Sequence, residues 1–96
     1  MQALPPVPGF AQRPSVYTAP GGGFQACVIQ RESGGNAQAV NPSSGAGGLY
    51  QFLPSTWAGL GYSGSPQNAP VSVQNQAFAK LYAQAGTSPW APSDGC

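Results

Sequence analysis

The chain has 96 residues, of which 5% are charged, and its formal net charge is +1. Three basic residues are too few to neutralise a run of phosphates, so the composition excludes nucleic-acid binding. No apolar run approaches the ~20 residues of a membrane helix, so membrane insertion is not expected. This length allows one small domain with a marginal hydrophobic core.

Residues 1–22 differ in composition from the rest of the chain. They hold five of the eleven prolines and show no helical or strand period. Because proline restricts φ and removes a backbone donor, we predict a linker or tail over residues 1–22 and a folded domain over residues 23–96. No basic segment followed by an apolar one is visible at the start, so a signal peptide is not predicted.

The first predicted helix begins near residue 24. Its inner face follows the spacing i, i+3, i+4, i+7, which is occupied by Phe24, Cys27, Val28 and Arg31. Gly34 and Gly35 are expected to end it. Glu32 then lies in the last turn, about 140° around the helix from Cys27. We expect Cys27 to face inward and Glu32 to face a groove.

The remaining elements are short helices separated by glycine-rich loops. Residues 36–48 read as a loop, and Pro54 suits the first position of a short helix that ends near Leu60. Ser72 is predicted to cap a helix over 73–85. Its expected buried face contains six residues: Val73, Ala77, Phe78, Leu81, Tyr82 and Ala85. The tail from residue 88 has no period.

The two cysteines, Cys27 and Cys96, are candidates for a disulfide. A bridge between them would close a loop of about 70 residues and contribute about 4 kcal/mol in the chain-entropy model. The alternative is two unrelated thiols. The bridge is the preferred interpretation because a core this small needs a covalent constraint, and it implies an oxidising compartment.

Glu32 is the only carboxylate before Asp94, and the chain has no histidine. Serine or cysteine nucleophiles would therefore lack an activating base, and no metal site or other cofactor is expected. The glycines at 45–48 lack a preceding strand and a Walker lysine, which argues against nucleotide binding. Carboxyl chemistry remains, and Glu32 is the predicted catalytic residue.

Three segments carry a family resemblance: ESGGN at 32–36, AVNP at 39–42 and GAGGLYQFLPSTW at 45–57. Together they resemble the lysozyme-like lytic transglycosylases. The small size, the paired cysteines and the ending SPW with a cysteine behind it are more similar to the catalytic domain of actinobacterial resuscitation-promoting factors. The resemblance covers residues 24–96, and Tyr50 stands where the family usually has methionine.

The resemblance implies a fold and an activity. The fold is mainly α, of the α+β lysozyme-like type, as a small single domain with long glycine-rich loops and one disulfide. The implied substrate is the glycan strand of peptidoglycan, cleaved between N-acetylmuramic acid (MurNAc) and N-acetylglucosamine (GlcNAc) to give 1,6-anhydro ends. Glu32 would act as the acid and then as the base. We expect a monomer that is secreted or bound to the cell wall, or alternatively part of a phage particle.

Other residues of these segments are candidate substrate contacts. Gln51 could hydrogen-bond Glu32 or a substrate N-acetyl group, and the alternative is a loop-stabilising amide. Tyr50 and Trp57 could stack on sugar faces, with a core position as the alternative for each. Ser33 could hydrogen-bond Glu32 or cap the end of the helix.

Two alternative functions remain open from the sequence. The first is a muramidase that uses Asp94 as a second carboxylate, because a bridge at Cys96 would bring Asp94 back towards the first helix. The second is a non-catalytic glycan-binding module. The transglycosylase hypothesis requires Glu32 to be protonated near neutral pH, so its pKa should be raised. It also places Asp94 in a tail anchored to the helix face opposite Glu32.

Overall fold

The computed structural model describes residues 16–19 and 22–96, and four α-helices occur in that part of the chain. They are α1 (Gly23–Glu32), α2 (Pro54–Gly59), α3 (Val71–Ala85) and α4 (Ala91–Asp94). A 3-10 turn, Pro66–Asn68, precedes α3. The mainly α prediction with long glycine-rich loops is confirmed. None of the helices in the described part is long and apolar enough to cross a bilayer.

The glycine-rich loop between α1 and α2 is held by two isolated antiparallel bridges. Val40 pairs with Gly47, and Gly47 pairs with Phe52. Gly48 in the same loop has φ +82°, and a Cβ placed there would lie 2.6 Å from Oε1 of Gln74. Only glycine fits that position, since both the backbone conformation and the close side chain exclude a larger residue.

The ends of α1 and α2 lie close to the predicted ones. Ser33 is the C-cap of α1, and Gly34 follows with φ +64°, in the left-handed region that glycine accepts. α3 begins at Val71, two residues before the predicted start. The carbonyl of Pro70 accepts the first bond of this helix, at 3.0 Å from the amide of Gln74. Ser72 is therefore inside the first turn and is not the cap.

The core is one apolar cluster centred on stacked aromatic rings. The ring of Phe78 lies 4.6 Å from that of Tyr50 and 4.7 Å from that of Trp90, measured between centroids. The cluster contains eleven buried residues: Ala19, Val28, Ile29, Leu49, Tyr50, Phe52, Trp57, Leu60, Ala77, Phe78 and Trp90.

The buried face of α3 differs from the predicted one. Ala77 and Phe78 are buried as expected, but Tyr82 is 45% exposed and Ala85 is also exposed. The last turns of α3 extend past the core, which the helical period cannot show. Gln74 is fully buried on this helix and was not predicted.

The predicted disulfide is present. Cys27 and Cys96 are bonded, with 6.0 Å between their Cα atoms and 69 positions between them in sequence. The bridge joins α1 to the residues that follow α4. The end of the chain is thereby attached to the first helix.

Residues 16–19 lie against the domain. The amide of Tyr17 donates to the carbonyl of Gly35 at 2.8 Å, and its hydroxyl accepts from Nδ2 of Asn75 at 3.1 Å. Ala19 is part of the core cluster. The other residues of the predicted tail, 1–15 and 20–21, lie outside the described residues, and the boundary at residue 22 stays a prediction.

Candidate active site

Glu32 is the last residue of α1 and is half-buried. Ser33 behind it is buried, and its hydroxyl donates to the carbonyl of Ile29 at 3.1 Å. The same oxygen accepts from the amide of Gly35 at 3.2 Å. Ser33 therefore stabilises the end of the helix, and it has no exposed group for the predicted substrate contact.

Asp94 lies beside Glu32, contrary to the expectation that it would face the opposite side of the helix. It is 8% exposed, and its carboxyl hydrogen-bonds that of Glu32. The expectation was wrong because the angle between Cys27 and Glu32 fixes only the start of the bridge. α4 packs on α1 and carries Asp94 around to Glu32.

This environment changes the acidity of Glu32. Burial, the hydrogen bond to Asp94 and the charge of Asp94 raise the pKa of the Glu32 carboxyl from 4.5 to about 8. Each of these effects disfavours the carboxylate, since burial removes water and Asp94 adds a like charge. Glu32 is therefore protonated at neutral pH, which is the state a general acid requires.

The two carboxyl groups can share one proton. Oδ2 of Asp94 is buried, and no donor group of the described residues reaches it. Two adjacent carboxylates that lack a proton between them would repel each other in a partly desolvated site. A proton on Glu32 supplies the missing donor.

Tyr50 and Trp57 occupy core positions, which was the alternative to stacking on sugars. Tyr50 is 0% exposed and Trp57 is 1% exposed, so neither ring has a free face. The hydroxyl of Tyr50 donates to Oδ1 of Asn75 and accepts from Nε2 of Gln25 at 2.7 Å. Nε1 of Trp57 donates to the carbonyl of Ser63 at 3.2 Å.

Gln51 stabilises the glycine-rich loop. Its Nε2 donates to the carbonyls of Ala39 and Gly48, at 3.2 and 3.0 Å. Gln51 has φ +54°, and it is the one described residue other than glycine with a positive φ. Gln51 is therefore the loop-stabilising amide that was the alternative to a substrate contact. The hydrogen-bond partner of Glu32 is Asp94, where Gln51 had been predicted.

A polar groove is formed by the loop that follows α1 and by the segment that leads into α3. It has a volume of about 560 Å³ and is lined by Asn36, Ala37, Gln38, Gln67, Asn68, Ala69, Pro70 and Val71. Four of these side chains carry amides, which can both donate to and accept from sugar hydroxyl and N-acetyl groups.

Among the described residues, no cluster of three histidine, cysteine or acidic side chains could hold a metal ion.

Comparison with known proteins identifies the family. Residues 24–93 match the family described as Transglycosylase-like domain. The chain belongs to this family. It is 57% identical over 67 residues to proteins named "Probable transglycosylase SceD" from Staphylococcus aureus strains Newman, Mu3 and USA300. The match covers 66% of this chain and 29% of each relative, so the chain spans less than a third of their length.

Gln74 is a structural residue of this transglycosylase-like domain that sequence reasoning missed. Its Oε1 accepts from the amide of Leu49 at 2.7 Å. Its Nε2 donates to the carbonyls of Ala37 and Ala69, at 3.1 and 2.9 Å. One buried side chain thus joins α3 to the glycine-rich loop and to the wall of the groove. The sequence signal that could have indicated this role is the position of Gln74, three and four residues before the apolar Ala77 and Phe78 of the predicted helix.

Proposed function

We propose that this domain cleaves the β-1,4 bond between MurNAc and GlcNAc in peptidoglycan, with Glu32 as the single general acid and base. The products would carry 1,6-anhydro-muramoyl ends. The observation that carries the proposal is the raised pKa of the half-buried Glu32 carboxyl, about 8, in a chain with only two acidic residues. Membership of the transglycosylase-like family supports it.

The proposed reaction has two proton transfers. Glu32 first donates its proton to the glycosidic oxygen, and the bond between that oxygen and C1 of MurNAc breaks as positive charge develops on the ring. The Glu32 carboxylate then takes the proton of the muramoyl 6-hydroxyl, whose oxygen bonds to C1. Glu32 ends protonated, as it began, and no water is consumed.

The position of Asp94 argues against the muramidase alternative. Enzymes with two catalytic carboxyl groups hold them ~5–10 Å apart, so that the sugar and, in inverting enzymes, a water fit between them. Glu32 and Asp94 instead hydrogen-bond each other. No sugar fits between two groups in direct contact, so Asp94 is a poor second catalytic carboxylate.

The substrate and location follow from the same proposal. Peptidoglycan glycan strands are the proposed partner of a monomeric domain over residues 23–96, with the amide-lined groove as a candidate binding surface. The Cys27–Cys96 bridge fits an oxidising compartment, which supports action at the cell wall after secretion. Carriage on a phage particle would meet the same requirement. Gln51 remains a proposed substrate contact only through its Oε1, because its amide nitrogen is engaged in the loop.

Digestion of purified peptidoglycan followed by mass spectrometry of the products tests this proposal. Anhydro ends are the expected result. Reducing ends would show the muramidase, and binding without cleavage would show the glycan-binding module; either result contradicts the proposal.

The variant that tests the role of Glu32 is Glu32→Gln, which keeps the shape of the side chain and removes its acidic proton. We expect a loss of roughly 10²–10⁴-fold in cleavage rate, the usual contribution of a general acid. Gln30→Ala, at an exposed position of the same helix, is the control and should cleave at the original rate. Cleavage by Glu32→Gln within about threefold of the unchanged protein would exclude Glu32 as the acid.

A further inference from the structure

We propose that Asp94 is a positioning residue for Glu32: it orients the acidic proton through a shared hydrogen bond and strengthens the Glu32 carboxylate as a base in the second proton transfer. The pairing itself rests on the packing of α4 on α1 and on the buried Asp94 carboxyl, whose Oδ2 no donor group of the described residues reaches. Its catalytic consequence rests on the proposed function.

The backbone around Asp94 is constrained on both sides. Its amide donates to the carbonyl of Trp90 at 2.9 Å, and Trp90 is buried in the core. On the other side, Gly95 has φ +71° and reverses the chain before Cys96 enters the disulfide. A helix of four residues would not hold its position by itself. The core and the bridge together hold Asp94 against α1.

No cation compensates for Asp94 within the described part of the chain. Arg31 is exposed. Nζ of Lys80 donates to the carbonyl of Leu60 at 2.8 Å and lies 4.9 Å from the centre of the Tyr62 ring. The amino group of Met1 lies outside the described residues. A buried carboxyl with no cation is stabilised by sharing a proton, and Glu32 is the group that has one.

The pairing affects the two transfers in opposite directions. A neighbouring carboxylate holds the proton of Glu32 more tightly, so Glu32 is a weaker acid in the first transfer. Once that proton has left, two carboxylates face each other, and their repulsion favours recovery of a proton from the 6-hydroxyl. Asp94 thereby favours the second transfer, in which a single residue must serve as base.

The sequence makes a direct measurement feasible. The chain contains one glutamate and one aspartate, so a ¹³C label on the glutamate carboxyl reports Glu32 with no other side-chain carboxyl of that residue type. The experiment is a ¹³C NMR titration of the unchanged protein, Asp94→Asn and Ser93→Ala. Asparagine keeps the shape of aspartate without its charge, and Ser93 is an exposed neighbour. Asp94→Ser is a second variant, in case asparagine disturbs folding.

We expect the titration midpoint of Glu32 to fall by about one unit or more in Asp94→Asn, and to stay unchanged in Ser93→Ala. A midpoint that moves by less than about 0.3 units in a folded Asp94 variant would overturn the pairing. This readout needs no enzyme activity, so it separates failure of the pairing from failure of the proposed function.

Kinetics test the catalytic part of the proposal. In Asp94→Asn, the alkaline limb of the kcat/KM profile should move to lower pH by the same amount as the NMR midpoint, with Ser93→Ala unchanged. A purely structural role would lower activity equally at all pH values and leave the limb in place. A shifted NMR midpoint with an unshifted limb would keep the pairing and overturn its catalytic role.

Discussion

At the scale of single residues, the environment of Glu32 links folding stability to pH. The carboxyl has a pKa of about 8 in the folded protein against an ordinary value of 4.5. Between these values the folded state binds a proton that the unfolded state has released. The free energy of unfolding should therefore fall as pH rises through this window, and level off above it. Urea unfolding at a series of pH values measures this slope.

Glu32→Gln is the comparison for that series, because glutamine does not titrate. Its stability should be nearly flat across the same window, and it should exceed that of the unchanged protein at the alkaline end. Parallel curves for the two proteins would contradict the assignment of the slope to Glu32.

The sequence was enough to select Glu32 as the candidate acid, but it did not predict the neighbour of Glu32. A lone acid in a chain without histidine leaves one candidate for proton transfer, and residue counting identifies it. The position of Asp94 depends on how α4 packs on α1 and on the reversal at Gly95 that follows it. One residue, Gly95, separates Asp94 from the bonded Cys96, and no sequence period describes this turn.

At the scale of elements, Gln74 joins α3 to two loops by three buried or partly buried hydrogen bonds. Gln74→Ala would leave the amide of Leu49 and the carbonyls of Ala37 and Ala69 without their partner. We expect a loss of roughly 2–4 kcal/mol in the free energy of unfolding, because buried polar groups without partners are costly. Chemical unfolding measures it.

Gln76→Ala is the matched control for this change. It is the same substitution two positions along the same helix, at an exposed site. Its effect should stay within about 0.5 kcal/mol, as at most surface positions. Equal effects of the two substitutions would show that helix propensity, and not the buried hydrogen bonds, accounts for the loss.

The helices were more predictable than the placement of their polar and aromatic side chains. Proline and glycine restrict backbone angles locally, so Pro54 and Gly34 marked helix ends correctly. Tyr50 and Trp57 each combine an apolar ring with one polar atom, and such residues suit a core or a cleft equally well. Whether such a residue is buried depends on the elements that pack around it. In this structure those elements bury both rings in the core.

At the scale of the whole molecule, the disulfide should account for a large share of stability. The bonded cysteines are 69 positions apart, so reduction frees a long loop in the unfolded state. We expect reduction to lower the free energy of unfolding by about 4 kcal/mol. Thermal unfolding with and without a thiol reductant measures the change.

The double variant Cys27→Ser with Cys96→Ser is the control for that measurement. It should unfold at a similar temperature to the reduced protein and should not respond to the reductant. A reduced protein with an unchanged melting temperature would contradict a stabilising role for the bridge.

The same bridge determines how the domain would respond to mechanical tension. The closed loop between the bonded cysteines contains α2, α3, α4 and residues 28–32 of α1. A force that enters through residues before Cys27 and leaves at Cys96 would pass through the sulfur–sulfur bond. Residues 28–95 would carry none of that load while the bond is intact. In a stretched polymer network such as the cell wall, the oxidised domain would keep its candidate site folded under tensions that would unravel the reduced one.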